Sequence, residues 1–160
     1  MSLTTPAITR SAVQTQYCTF WVRGLYFGVA VQDVQEVLRS HQMTPVPQAP
    51  EAIRGLINLR GQIVTALDLR RRLALDEGEA PEPMNVIVRS HGEAVSLLVD
   101  QIGDVIDTGD LDLHPTPSNL PVAVQSVLHG VIPLPEAILL VLDPDQAVEV
   151  TAADSTEGLS

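Results

Sequence analysis

The chain has 160 residues, of which 45% are hydrophobic but only 3% aromatic, so a core has to be built from Val, Leu, Ile and Ala, and clustered Val favours strands. A formal net charge of −11 argues against a nucleic-acid partner, since phosphate binding needs Lys and Arg gathered on one face. The one dense basic run, Arg70-Arg71-Arg72, is followed directly by the acidic residues Asp76, Glu77, Glu79 and Glu82.

In chain order, residues 1–15 are small and polar and read as an N-terminal tail without the apolar stretch of a secretory signal. Tyr17 to Val22 and Tyr26 to Val31 read as two strands around a tight turn at Arg23-Gly24-Leu25, where Gly24 can supply positive φ. Asp33 to Glu36 has the form of a single helical turn capped by Asp33. Pro45, Pro47 and Pro50 keep the next stretch extended or looped, and Pro50 to Arg54 allows a short turn stopped by Gly55. Ile63 to Leu67 is an apolar strand broken only by Thr65. Asp68 can cap a helical turn to Leu73 whose arginines suit the negative end of the dipole. Met84 to Val88 and Ala94 to Val99 form a second hairpin, around Ser90-His91-Gly92-Glu93. Ile138 to Leu142, wholly apolar, predicts a strand buried on both faces, and Asp143-Pro144 opens a last helix to Val150. Residues 151–160 read as a C-terminal tail. Many short strands divided by turn residues predict an all-β body of small barrels or a sandwich with a few short helices.

An internal repeat refines this. The segment Gly55 to Asp68 can be laid on Gly130 to Asp143, at an offset of 75, and Val31 to Val37 on Val99 to Val105, at an offset of 68. Two matches in the same order indicate a duplication with a loop insertion, the halves being about 16–80 and 84–150 of one domain spanning 16–150. One difference between the halves is informative. The first carries Asn58-Leu59-Arg60-Gly61 where the second has Pro133-Leu134-Pro135-Glu136. Arg60 has a carboxylate partner available in Glu36, and a guanidinium fork can hold a carboxylate through two parallel hydrogen bonds.

Catalytic and metal motifs are missing from the sequence. His41, His91, His114 and His129 are scattered, with no ligand spacing to Cys18, the sole cysteine, which also rules out an intramolecular disulfide. Asp100, Asp104, Asp107, Asp110 and Asp112 lack the glycine and terminal glutamate of a calcium loop. No nucleophile elbow, Walker loop or dinucleotide fingerprint is present. The expectation is a protein that is not an enzyme and has no cofactor or metal. No apolar run reaches the ~18–20 residues of a transmembrane helix, so direct membrane insertion is not expected.

Phe27-Gly28-Val29-Ala30-Val31, Val34-Gln35-Glu36-Val37, Ile53 to Gly61, Ile63 to Arg70 and Val99 to Val105 follow, in order, the pattern of the CheW family, which the chain resembles over roughly residues 17–150. The Asn-Leu-Arg-Gly element with the downstream Asp68-Leu69-Arg70 carries the specificity of this resemblance, while Thr65 stands where the family often has proline. The resemblance implies two five-stranded SH3-like β-barrel subdomains. It implies an adaptor in the cytoplasm, at receptor arrays on the inner face of the membrane, that couples chemoreceptors to the histidine kinase CheA. Flagellar output is the first expectation; a chemosensory pathway for pili or gliding would use the same contacts, and a small-ligand-binding or enzymatic protein on the same barrels is the remaining alternative. Carried over by position, Val34, Glu36 and Val37 match the receptor-contact segment. Asn58, Leu59, Arg60 and Gly61 form the motif that braces it, and Gly55 and Leu56 fall in the neighbourhood linked to contact with the CheA regulatory domain. The turn at Gly24-Leu25-Tyr26 is more apolar than is usual there, and its Leu-Tyr pair is expected to tuck onto the body.

Overall fold

The structure is a computed structural model that describes residues 15–39, 41–75 and 82–149. Apart from Thr15, the two expected tails lie outside these residues, as does the acidic seam up to residue 81. Thr15 itself is anchored: its carbonyl accepts the Thr108 N–H at 2.8 Å.

Ten strands run in the order β1 (Gln16–Val22), β2 (Leu25–Ala30), β3 (Val34–Leu38), β4 (Ile53–Leu59), β5 (Gln62–Asp68), β6 (Met84–Ser90), β7 (Glu93–Val99), β8 (Gln101–Asp107), β9 (Leu128–Pro133) and β10 (Ile138–Leu142). Three short helices are interspersed: α1 (Leu69–Arg72), α2 (Val122–Gln125) and α3 (Pro144–Val148). Three hairpins close on the same device. Arg23-Gly24, Arg60-Gly61 and His91-Gly92 each place two successive residues at positive φ, the backbone of a two-residue turn whose twist matches its strands. Asp68 caps α1, accepting the Arg70 N–H at 2.9 Å, and Asp143 caps α3 with Pro144 at the first helical position.

The strands assemble into two five-stranded sheets, β8-β1-β2-β10-β9 and β3-β6-β7-β5-β4. The sheets do not follow the division of the sequence at 80/84. Each takes one hairpin from one half and three strands from the other: β1-β2 joins β8, β9 and β10, while β6-β7 joins β3, β4 and β5. Replacing every strand by its repeat counterpart converts one sheet order into the other. The register agrees. In one sheet Leu140 is paired in parallel with Phe27, and in the other Thr65 with Val95, which are the residues the two offsets equate. The halves are therefore interlaced rather than set side by side. The reason lies in connection length: β2 passes through a single 3₁₀ turn, Val31–Asp33, straight into β3, which leaves no room to fold back onto its own hairpin.

Burial explains the alternation along the strands. In β7, Val95, Leu97 and Val99 face a core shared by both sheets, where they join Phe20, Val22, Phe27 and Val29 from the other sheet. Ala94, Ser96 and Leu98 face the opposite way. On that inner side Leu38, Leu59, Val64, Ile87 and Ala94 form one cluster with a residue from each of the five strands. Because β3 and β4 are the outer strands, the sheet has to curl for Leu38 and Leu59 to share it. Tyr17, Tyr26, Ile106, Ile132 and Leu139 do the same in the other sheet.

Several local expectations change. Asp33 to Glu36 is not a helical turn: only Val31–Asp33 is helical, and Glu36 lies in β3, where ladder bonds to β6 outcompete a lone turn. Pro50 to Arg54 does turn, with the Ile53 N–H bonded to the Pro50 carbonyl at 2.9 Å, but the turn gives way to β4 at Ile53 rather than stopping at Gly55. Ile138 is 54% exposed, so β10 is buried on both faces only from Leu139 onward. The Leu25-Tyr26 pair does tuck in, Leu25 onto the shared core and Tyr26 against Trp21, ring centroids 4.9 Å apart.

Candidate functional site

The ion pair expected between Glu36 and Arg60 is formed in the structure. Asn58 is next to last in β4 and its Oδ1 accepts the Gly61 N–H at 2.9 Å, which stabilises the turn and fixes Arg60 at φ 53°. From there Arg60 reaches Glu36 as a two-pronged fork, Nη1 to Oε2 at 2.6 Å and Nη2 to Oε1 at 2.7 Å. The bond joins the two outer strands of one sheet, so it clasps the curled edges together. The Arg60 side chain is 68% exposed and that of Glu36 21%. The hydrogen bonds from Arg60 hold the Glu36 carboxyl below the usual carboxylate range, and Glu36 in turn raises the Arg60 guanidinium.

Around the clasp, Val34 is half-buried against the shared core, and a bulge between Val34 and Glu36 re-aims the strand. Val37 remains 39% exposed, and across the clasp Ile63, the second residue of β5, is 61% exposed. Gln35 accepts from Arg89 Nη1 at 2.9 Å, which ties β3 to β6 on its outward side. Leu59, placed by its sequence in the brace, is buried in the inner cluster and supports the turn from below.

Gly55 and Leu56 sit in a different environment. Leu56 exchanges two backbone hydrogen bonds with Thr44, at 2.8 and 2.9 Å, and a Cβ on Gly55 would stand 2.6 Å from the Thr44 carbonyl oxygen. Glycine is thus required there by a close backbone approach. Gly130 plays the same part in the other sheet, against the His114 carbonyl.

Among the described residues, the second half has no equivalent clasp. Asp104 occupies the position matching Glu36 and Pro135 that of Arg60, and a longer connection, with Leu134 N–H bonded to the Ala137 carbonyl at 2.7 Å, replaces the two-residue turn.

The arginine run was read in the sequence only as a match for a helix dipole; the structure gives each member a task. Arg70 forks onto Asp100 (2.7 and 2.9 Å), whose Oδ2 also accepts the Arg23 backbone N–H at 2.8 Å, so one carboxylate links α1 to the β1-β2 turn of the other sheet. Arg71 donates to the Glu51 carbonyl, and Arg72 to the carbonyls of Gln146 and Ala147 in α3. Nothing in the sequence paired Asp100 with Arg70. Among the described residues, no three of His, Cys, Asp or Glu gather as metal ligands, and no helix is long and apolar enough to cross a membrane.

Comparison with known proteins agrees with this fold. The CheW-like domain family matches residues 16–151. The chain is 31% identical over 121 residues to the chemotaxis protein CheW of Rhizobium meliloti, covering 74% of this chain and 77% of that one. It is 30% identical over 132 residues to that of Klebsiella aerogenes, covering 82% and 80%. The crystal structure of the scaffolding protein CheW from Thermoanaerobacter tengcongensis superposes with a TM-score of 0.77 at 25% identity, over 85% of this chain and 93% of that one.

Proposed function

The chain belongs to the CheW family and is a chemotaxis scaffolding or coupling protein, not an enzyme; on that premise we propose that it joins the cytoplasmic tip of a chemoreceptor to the regulatory domain of the histidine kinase CheA. Val34, Glu36 and Val37 form the receptor contact. Asn58, Leu59, Arg60 and Gly61 hold it in place, and the surface beside Gly55 and Leu56 meets the kinase. The domain for this work is 16–150.

The observation that carries the reading is the Glu36–Arg60 fork beside exposed Val37 and Ile63. An apolar anchor gives affinity and a rim of fixed charge gives orientation, which is what a scaffold without chemistry of its own has to supply. Each contact is small, and assembly strength arises from linking several of them. The protein then acts from the cytoplasm at receptor arrays on the inner face of the membrane.

The test is Glu36→Lys in an array reconstituted from receptor, kinase and this protein. Receptor-dependent kinase activation falls, while the melting curve shows the sheets still folded. Full activation by a folded Glu36→Lys protein refutes the receptor contact. Kinase binding that survives substitution of Leu56 by Asp refutes the second contact.

A further inference from the structure

The duplication makes each sheet a control for the other. In the β3–β7 sheet the inner face is filled by Met43, which packs on Ile57, Ala66 and Leu98 and comes from the segment whose Thr44 carbonyl presses on Gly55. The other sheet repeats the backbone device, with His114 paired to Val131 and its carbonyl against Gly130. Leu113 takes the place of Met43, close enough that a Cβ on Gly130 would lie 3.1 Å from its Cγ. Yet Leu113 is 51% exposed. The inner face behind it opens into a cleft of about 890 Å³, within the size range of ligand sites.

Its floor includes Ala30, Ile132 and Val141, the repeat counterparts of Leu98, Ile57 and Ala66 that Met43 covers in the other sheet. Its rim carries Asp33, Asp110 and Asp112, and among the described residues no Lys or Arg lines it. Burial beside Asp145 and Asp143 raises the Asp33 carboxyl, and His129, 3.7 Å from Asp143, opposes that effect only in part. Two copies of a chain with a net charge of −11 repel one another, so a second copy is a poor occupant.

We propose that this cleft docks a segment of a partner protein that inserts one long apolar side chain, methionine or leucine, onto the Ala30–Ile132–Val141 floor and sets a lysine or arginine against Asp110 and Asp112. Met43 in the sister sheet supplies the shape of the anchor, and the carboxylates supply the sign of its neighbours. Methionine suits such a floor because its flexible thioether adapts to irregular apolar surface.

The experiment is amide-shift mapping by NMR on the full ¹⁵N-labelled chain with three capped pentapeptides: Gly-Arg-Met-Arg-Gly, Gly-Glu-Met-Glu-Gly and Gly-Arg-Gly-Arg-Gly. The first gives saturable shifts in residues 108–114 and around Ala30, Ile132 and Val141. The other two bind more weakly by about tenfold or more, as does the first peptide on an Asp110→Lys/Asp112→Lys protein. Both aspartates are exposed loop residues, and an otherwise unchanged spectrum of the double variant shows that it is folded. Equal binding of all three peptides, shifts spread over the acidic surface, or no saturable shift overturns the proposal. The same shifts appearing when the chain is concentrated alone assign the cleft to a second copy, and also overturn it.

Discussion

Replacing Asp100 by alanine tests whether the two interlaced sheets are locked by one carboxylate. Asp100 accepts two bonds from the Arg70 guanidinium and one from the Arg23 backbone, all between 2.7 and 2.9 Å, with the Arg70 and Asp100 side chains 13% and 19% exposed. A fully buried pair broken on one side costs roughly 3–5 kcal/mol, and an exposed one at most about 1 kcal/mol. Partial exposure places Asp100→Ala between them, at about 2 kcal/mol, or roughly 4–8 °C in Tm for a chain of this size. Arg70→Ala removes two of the same three bonds. The double variant therefore loses less than the two single losses combined, by about 1–2 kcal/mol. Urea unfolding of the four proteins measures the cycle. A single-variant loss under about 0.5 kcal/mol, the level of an ordinary surface change, refutes the lock. So does strict additivity.

Three further outcomes follow from the same geometry. The Glu36 carboxyl titrates below the usual carboxylate range in an NMR pH series, and Arg60→Ala returns it to that range. Because its folded value is depressed, the clasp's contribution to stability is fully present above the unfolded carboxylate pKa and is lost as pH falls through the lower folded one; melting curves between neutral and acid pH check the sign. Gly55→Ala and Gly130→Ala each destabilise by about 2 kcal/mol or more, because a new Cβ meets a backbone carbonyl in both sheets, and near-equal losses in denaturant titrations confirm their equivalence. Ser96 is fully buried and its hydroxyl has no partner among the described residues, so Ser96→Ala is neutral or stabilising by up to about 1 kcal/mol; a clear loss of stability shows that the hydroxyl is bonded through water instead.

The sequence disclosed the parts of this molecule whose physics is local. Asp68 and Asp143 announced their caps, Arg23-Gly24 its turn, and Glu36 with Arg60 its ion pair, because each depends on residue type over a short span or on one unmatched charge. The repeat offsets relate the two parallel pairings to one another, Thr65 with Val95 and Leu140 with Phe27, but predicted neither. The exchange of hairpins between the halves stayed hidden. Hydrophobic alternation records that a strand has a neighbour on each face but not which half supplies it. The edge strand through Glu36 was read as a helical turn for a related reason. Val34-Gln35-Glu36-Val37 is short and begins beside an Asp, and only pairing with Val86 and Ile87, some fifty residues away, decides its conformation. Arg70 and Asp100 meet across the same kind of distance.

Because every sheet borrows a hairpin from the other half, neither half contains a complete fold. Severing the backbone at the acidic seam would yield two fragments that each lack a partner for their own strands, yet fit one another. A single ancestral unit of half this length could satisfy its strands only by trading hairpins with an identical copy, as a two-fold symmetric dimer. Joining the copies in tandem frees the two sides to diverge. One side kept an arginine turn and a plugged interior, and the other a proline-bearing loop and an open mouth. A symmetric pair offers the same face twice; its fused descendant can offer two different ones.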